Sequence, residues 1–144
     1  MGLLSIFDSK EKKNRLSHML NLLAVACADG VLEQSEIDLF LQIGKRIGVS
    51  ESELQRVVAN PGSVKLVAPD NDADRIALLY DMVLMMMING DIDDNEVLFC
   101  KSTAVRLGFN PKVIDLIVQR VIELVKSGVE NDKAVETLIN EAQN

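Results

Sequence analysis

The feature that most constrains this 144-residue chain is an acidic nine-residue segment that occurs twice, sixty positions apart. The first copy runs from Ala28 to Glu36 and the second from Ile88 to Glu96. In both copies a polar residue precedes a glycine, an aliphatic residue lies two positions after the glycine, and a glutamate lies seven positions after the polar residue. Because apolar residues at helical spacing flank both copies, each segment is predicted to join two helices.

An alignment without gaps extends this similarity to residues 16–58 and 76–118. Identical residues are few, but they fall on turns and helix ends, where a helix–turn–helix repeat most needs particular residues. The pairs include Gly30 with Gly90, Glu36 with Glu96 and Gly48 with Gly108. The sequence therefore predicts two tandem three-helix repeats related by a pseudo-twofold axis, and it leaves open whether the two acidic turns lie on the same side.

The predicted fold class is all-α, a compact bundle of about seven helices in a single domain, residues 1–144. Apolar residues make up 48% of the chain but aromatic residues only 3%, a composition that suits packed helices better than sheets. We expect repeat 1 at about 9–59, a linker at 60–71 containing Pro61, Gly62 and Pro69, repeat 2 at about 72–127, and a C-terminal helix at about 130–143. The predicted helices are about 9–28, 34–47, 51–59, 73–88, 94–107, 111–127 and 132–142.

The fourth predicted helix contains the apolar run Met82–Ile88. A helix that is apolar on all sides is usually buried on all sides, so this helix is expected at the centre of the domain. The alternative is that its methionines line a groove for a partner, since methionine adapts to varied surfaces.

Charge and cysteine content limit the classes of ligand. The net charge of −7 excludes a nucleic-acid binder and favours a cationic metal or a basic partner. Cys27 and Cys100 have no metal-binding spacing and are predicted to be buried thiols in a reducing compartment, with a disulfide between them left open. His18, the only histidine, is expected at the surface or at a cap.

The first residues lack a basic region ahead of an apolar core, so we expect no signal peptide, and no apolar run is long enough to span a bilayer. A cytoplasmic protein is predicted. Apolar residues at the start are followed by a basic collar, namely Leu3, Leu4, Ile6 and Phe7 and then Lys10, Lys12, Lys13 and Arg15. This tip could rest on an anionic membrane or pack against its own domain.

The residues around the first turn resemble the TerB family of tellurite-resistance and stress-response proteins. The similar residues are the run from Ala26 to Leu32, then Glu36, then the run from Ile47 to Ser50 ahead of a short helix. The resemblance implies an all-helical, non-enzymatic stress-response protein that binds a divalent metal through acidic residues of these turns. On this chain those positions are Asp29, Glu36, Asn89 and Glu96, and Asn89 departs from the expected aspartate.

Each turn also resembles the second half of an EF-hand loop, which binds calcium through oxygen ligands. The residues at two earlier ligand positions are Val25 and Cys27 in the first copy and Met85 and Met87 in the second. Neither copy is a complete calcium loop. Any site must be assembled from the remaining oxygen atoms, which favour Ca²⁺, Mg²⁺ or Mn²⁺ over softer metals.

A purely structural interpretation explains the same spacing. Gly30 can end a helix, and Glu36 and Glu96 occupy the third position of the next helix, where a carboxylate accepts a hydrogen bond from a free backbone N–H. Both interpretations of the turns stay open, so the cofactor is either a divalent cation or none.

No nucleophile with an adjacent base and no phosphate-binding loop is visible, so we expect the protein not to be an enzyme. Two functions remain. One is a TerB-like stress protein whose turns bind a divalent cation. The other is a metal-free acidic helical module that binds a basic or membrane-associated protein partner. The sequence identifies neither the partner nor the oligomeric state.

Overall fold

The structure, a computed structural model, describes residues 3–28 and 30–143, and it describes side chains within 10–28 and 30–142. All regular secondary structure in the described ranges is helical, which confirms the predicted all-α class. A single 3₁₀ turn, Pro61–Ser63, lies between the third and fourth α-helices. The seven α-helices are α1 (Leu3–Ala26), α2 (Gln34–Ile47), α3 (Glu51–Ala59), α4 (Asp72–Met87), α5 (Asp94–Arg106), α6 (Ile114–Lys126) and α7 (Asn131–Gln143). None of the helices in the described part of the chain is both apolar enough and long enough to cross a membrane.

The chain divides into two compact units, Met1–Val67 and Ala68–Asn144. The division falls inside the linker predicted at 60–71. Unit 1 contains α1 to α3 and unit 2 contains α4 to α7. Two predictions, the single domain and the pseudo-twofold axis, are about how these units are arranged with respect to each other. Both stay predictions.

In unit 1, α1 packs against both α2 and α3. The side chain of Ser17 ties the segment after the 3₁₀ turn to α1, since its Oγ donates to the Val67 carbonyl at 3.1 Å and accepts from the Val67 N–H at 2.8 Å. The buried apolar side chains of this unit include Leu16, Met19, Leu22, Val25, Phe40, Ile43, Leu54 and Val57.

In unit 2, α4 packs against α5, α6 and α7. Its apolar run is buried at Met82, Val83 and Met85, as the core interpretation predicts, but Ile88 is exposed just beyond the helix end. The Tyr80 hydroxyl donates to the Val129 carbonyl at 2.5 Å and so holds the turn before α7. The core of the unit includes Leu79, Val83, Cys100, Ala104, Val118, Val121, Ala134 and Leu138.

Capping boxes begin helices α3 and α5. Ser50 Oγ accepts from the Glu53 N–H at 3.2 Å, and Glu53 Oε1 accepts from the Ser50 N–H at 3.0 Å. Asp93 and Glu96 make the same two bonds at the start of α5. The acidic run at 70–74 lies at the start of α4, where Asn71 Oδ1 accepts from the Asp74 N–H at 2.9 Å and caps the helix.

Two predicted helix starts are wrong. Helix α1 begins at Leu3 and not near residue 9. Helix α6 begins at Ile114 and not at Pro111, because Asn110 closes a separate turn: its Oδ1 accepts from the Lys112 N–H and its carbonyl accepts from the Val113 N–H, both at 3.0 Å. An asparagine side chain that bonds two residues ahead mimics a backbone turn and competes with a helix cap.

The prediction of two buried thiols is half wrong. Cys100 is buried, but Cys27 is exposed, and both are free. The reason is that α1 ends at Ala26, so Cys27 lies in the following turn and not on the core-facing stripe of the helix.

Candidate functional site

The first acidic turn connects α1 to α2. Gly30 has a positive φ of 82°, and its N–H donates to the Cys27 carbonyl at 2.9 Å. This conformation favours glycine, as the repeated Gly30 and Gly90 suggested. Asp29, the predicted first metal ligand, lies outside the described residues.

Glu36 is the second predicted ligand of this turn. Its side chain is directed into the cap of α2, where Oε1 accepts from the Glu33 N–H at 3.2 Å. The residue is only 8% exposed. The carboxylate therefore satisfies a free backbone N–H at the helix start, as the structural interpretation predicted.

The second acidic turn has the same construction. Gly90 has a φ of 145°, and Glu96 Oε1 accepts from the Asp93 N–H at 3.1 Å. Asn89 is exposed at the end of α4, and Glu96 is half-buried. The turn thus brings Glu96 to Asp93, the N-cap residue of α5.

The described side chains include no group of three or more His, Cys, Asp or Glu residues placed to hold a metal ion. Each of the two glutamates is within hydrogen-bonding distance of the helix cap three residues before it. Because Asp29 is not described, the four-residue set Asp29, Glu36, Asn89 and Glu96 stays a prediction.

Unit 1 contains an apolar groove of about 640 Å³, here called the α2–α3 groove. Its walls are α2 and α3, and the C-terminal part of α1 and the first acidic turn complete its lining. Leu41 and Val58, one on each wall, are 47% and 50% exposed. The lining residues are Leu23, Ala26, Leu32, Ile37, Phe40, Leu41, Glu51, Leu54, Gln55, Val58 and Ala59.

The walls of the groove follow helical spacing. Glu51, Leu54, Gln55, Val58 and Ala59 form one face of α3, at positions i, i+3, i+4, i+7 and i+8. Such a face has the row of ridges on which another helix packs. One helical face of α3 therefore forms one wall of the groove.

Gly44 of α2 sets the separation between the walls. A Cβ atom at this position would lie 2.9 Å from both Cδ1 and Cδ2 of Leu54, so α2 approaches α3 closely at this point. Leu54 is buried and also lines the groove. The glycine thereby allows Leu54 the rotamer that shapes the groove.

The corresponding positions of unit 2, sixty residues later, hold an ion pair and a buried valine. Lys101 and Asp115 stand where unit 1 has Leu41 and Gln55, and Lys101 Nζ lies 3.1 Å from Asp115 Oδ1. Val118, which corresponds to Val58, is fully buried. The two units thus share the glycine and the capping glutamate of their acidic turns. They differ at these positions, where only unit 1 exposes apolar side chains.

The sequence analysis did not predict the groove. Leu41 and Val58 lie off the core-facing stripes of their helices, and apolar residues on a second face are the signal that could have indicated it. Glu51 is the charged residue among the lining side chains, and Gln55 supplies an amide. The groove is otherwise apolar.

Comparison of the chain with family models, with curated proteins and with solved structures finds no match. The similarity to the TerB family therefore rests on the motif residues alone.

Proposed function

We propose that this chain is a non-enzymatic helical interaction module whose α2–α3 groove binds an amphipathic helix of a protein partner. The observation that carries the proposal is the pair Leu41 and Val58, which are about half exposed on facing walls of an apolar groove. Full burial of an exposed Leu or Val side chain contributes about 1.5–3 kcal/mol, and covering these half-buried side chains would contribute about half of that for each.

A helix is the occupant that fits the walls best. Amphipathic helices insert an apolar face into a groove through residues at i, i+3 or i+4, and i+7. Helix α3 has 9 residues, which at about 1.5 Å per residue gives a wall of roughly 13 Å. The bound segment therefore spans two to three turns and presents two or three apolar anchors.

Charge defines the polar side of the partner. Glu51 lies on the groove lining and the whole chain has a net charge of −7. A lysine or arginine beside the apolar anchors would pair with Glu51, and the overall charge would steer a basic segment toward the protein. The proposed partner is thus a basic amphipathic helix.

The TerB-like role in stress response, including tellurite resistance, is compatible with this module and stays a proposal. Leu32 belongs to the first acidic turn and also lines the groove. A divalent cation bound at that turn would therefore change the shape of the groove and the affinity for the partner. We place this activity in the cytoplasm, a proposal that the two free thiols support.

Selection from a random peptide library displayed on phage tests the groove directly with the intact protein. We expect enriched peptides to carry apolar residues at i, i+3 or i+4, and i+7, with lysine or arginine on the flank. Their affinities for wild-type protein and variants are then measured by fluorescence anisotropy.

Leu41→Glu and Val58→Glu should each weaken the selected peptides at least about tenfold, because each places an unpaired charge in the apolar interface. Leu98→Glu is the matched control, since Leu98 is an exposed leucine of unit 2 that lies outside the groove. The proposal fails if no peptide is enriched, or if Leu98→Glu weakens binding as much as Leu41→Glu. Preferential capture of acyl chains would instead indicate a lipid-binding groove.

A further inference from the structure

A second cavity in unit 1 has the opposite character to the groove. It has a volume of about 240 Å³ and lies between the N-terminal half of α1 and the segment that follows α3. Its lining includes Lys12, Lys13, Arg56 and Lys65 and contains no acidic residue. We call this cavity the basic pocket. The chain has a net charge of −7, so four cationic side chains around one cavity give this region a charge opposite to that of the whole chain.

The fold brings these cations together from three segments. Lys12 and Lys13 come from α1, Arg56 from α3, and Lys65 from the chain after the 3₁₀ turn. Only the first two are neighbours in the basic collar visible in the sequence. The cluster is therefore a product of the fold and not of a run of like charges.

Hydrogen bonds to Ser63 orient the guanidinium group of Arg56. Its Nε donates to Ser63 Oγ at 3.2 Å and its Nη2 donates to the Ser63 carbonyl at 3.0 Å. Ser63 Oγ in turn donates to the Asn60 carbonyl at 2.7 Å. These bonds fix Arg56 on the pocket lining before any ligand binds, which lowers the entropy cost of binding.

Acidic neighbours offset only part of this charge. Glu53 Oε2 lies 3.7 Å from Lys12 Nζ. Among the side chains described, no ion pair joins Lys13 or Lys65 to an acidic group, and both lysines are exposed. Two exposed ammonium groups and one oriented guanidinium group thus line the pocket.

We propose that the basic pocket binds the phosphate group of an anionic lipid headgroup. Guanidinium and ammonium groups bind phosphate through charge-assisted hydrogen bonds. A free phosphate ion shares this chemistry, but the sequence favours the lipid. The pocket residues Lys12 and Lys13 follow the apolar residues Leu3, Leu4, Ile6 and Phe7 on the same helix, and an apolar segment next to basic residues is typical of a membrane-surface contact.

This site is independent of the α2–α3 groove, because the two cavities share no lining residue. Peptide binding and headgroup binding can therefore be tested and lost separately.

Co-sedimentation with vesicles tests the proposal on the intact chain. The probes are phosphatidylcholine vesicles with and without phosphatidylglycerol, and inorganic phosphate as a competitor. We expect binding only to vesicles that contain phosphatidylglycerol. The double variant Lys13→Glu/Lys65→Glu should reduce this binding by about tenfold or more, since it reverses two charges at the membrane surface.

Lys112→Glu is the control at an exposed lysine outside the pocket, and it lowers the net charge by the same amount as Lys13→Gln/Lys65→Gln. Circular dichroism verifies the fold of each variant, and Lys13→Gln/Lys65→Gln repeats the test without added negative charge. In another outcome, wild type binds inorganic phosphate saturably and does not bind vesicles, and phosphate binding is lost in the double variants. That result would establish a phosphate site and overturn the lipid headgroup as its ligand. Equal vesicle binding by the double variants and Lys112→Glu, or no binding of either probe, would overturn the proposal.

Discussion

Asn131, the first residue of α7, donates from Nδ2 to Asp81 Oδ1 at 3.0 Å and to the Ala77 carbonyl at 2.9 Å. Asp81 lies in the middle of α4 and is 0% exposed. A buried carboxylate needs hydrogen-bond partners, and this one receives a bond from the residue at which α7 begins. The pair fixes the start of α7 against α4 within unit 2.

Replacement of Asn131 by alanine is expected to lower the free energy of unfolding by about 1–3 kcal/mol, because the buried Asp81 carboxylate and the half-buried Ala77 carbonyl each lose a donor. Urea denaturation followed by circular dichroism measures this change. Asn95→Ala is the matched control, since Asn95 is exposed in the first turn of α5. Equal effects of the two substitutions would show that the bond to Asp81 contributes nothing.

The two interpretations of the acidic turns make opposite predictions for Glu36→Gln. A glutamine can serve in a capping box, so as a cap it should change stability by less than about 1 kcal/mol. As a ligand of a divalent cation it should weaken binding strongly, because it removes the negative charge that such ions prefer. Thermal unfolding with and without Ca²⁺, Mg²⁺ or Mn²⁺ separates these outcomes.

Calorimetric titration of wild type, Asp29→Ala and Glu36→Gln completes that test. Heat of binding in wild type that disappears in both variants would establish a cation site in the first turn. If millimolar cation gives neither heat nor a thermal shift in wild type, the site does not exist and the turns are structural.

The two cysteines are expected to differ sharply in reactivity. Burial, with a smaller contribution from the charge of Glu96, raises the pKa of the Cys100 thiol to about 12, whereas Cys27 is exposed. Thiolate is the reactive form. At pH 8 a disulfide reagent should therefore modify one thiol quickly in the folded protein and the second only after unfolding in urea. Cys27→Ser should abolish the fast phase, and a fast phase that survives in this variant would contradict the burial of Cys100.

Gly44→Ala should narrow the α2–α3 groove without unfolding the protein. The added methyl group would lie 2.9 Å from Cδ1 and Cδ2 of Leu54, so the Leu54 side chain, which lines the groove, must shift. We expect selected peptides to bind several-fold more weakly, at a stability cost of about 1–3 kcal/mol. Gly62→Ala, where nothing lies within 4 Å of the added Cβ, is the control. Unchanged peptide affinity in Gly44→Ala would show that Leu54 is displaced away from the groove.

The parts of the structure that the sequence predicted well are local. Ser50 with Glu53, and Asp93 with Glu96, are three residues apart, so their bonds depend on little beyond the neighbouring backbone. Asp81 and Asn131 are 50 residues apart, and the spacing of residues along the helices does not predict their contact. The groove was missed for a related reason: the exposure of Leu41 and Val58 depends on how α2 and α3 pack on α1. Likewise, Lys65 joins Lys12 and Lys13 only after the chain folds.

The Lys101–Asp115 ion pair of unit 2 also provides a design for a binding-deficient protein. It joins α5 to α6 at the two positions where unit 1 has Leu41 and Gln55. The double substitution Leu41→Lys/Gln55→Asp would introduce the same ion pair into unit 1. The pair would bridge the groove, and the buried core residues would stay unchanged. Such a variant would be a separation-of-function allele, in which a cellular phenotype reports the loss of partner recognition and not the loss of the protein.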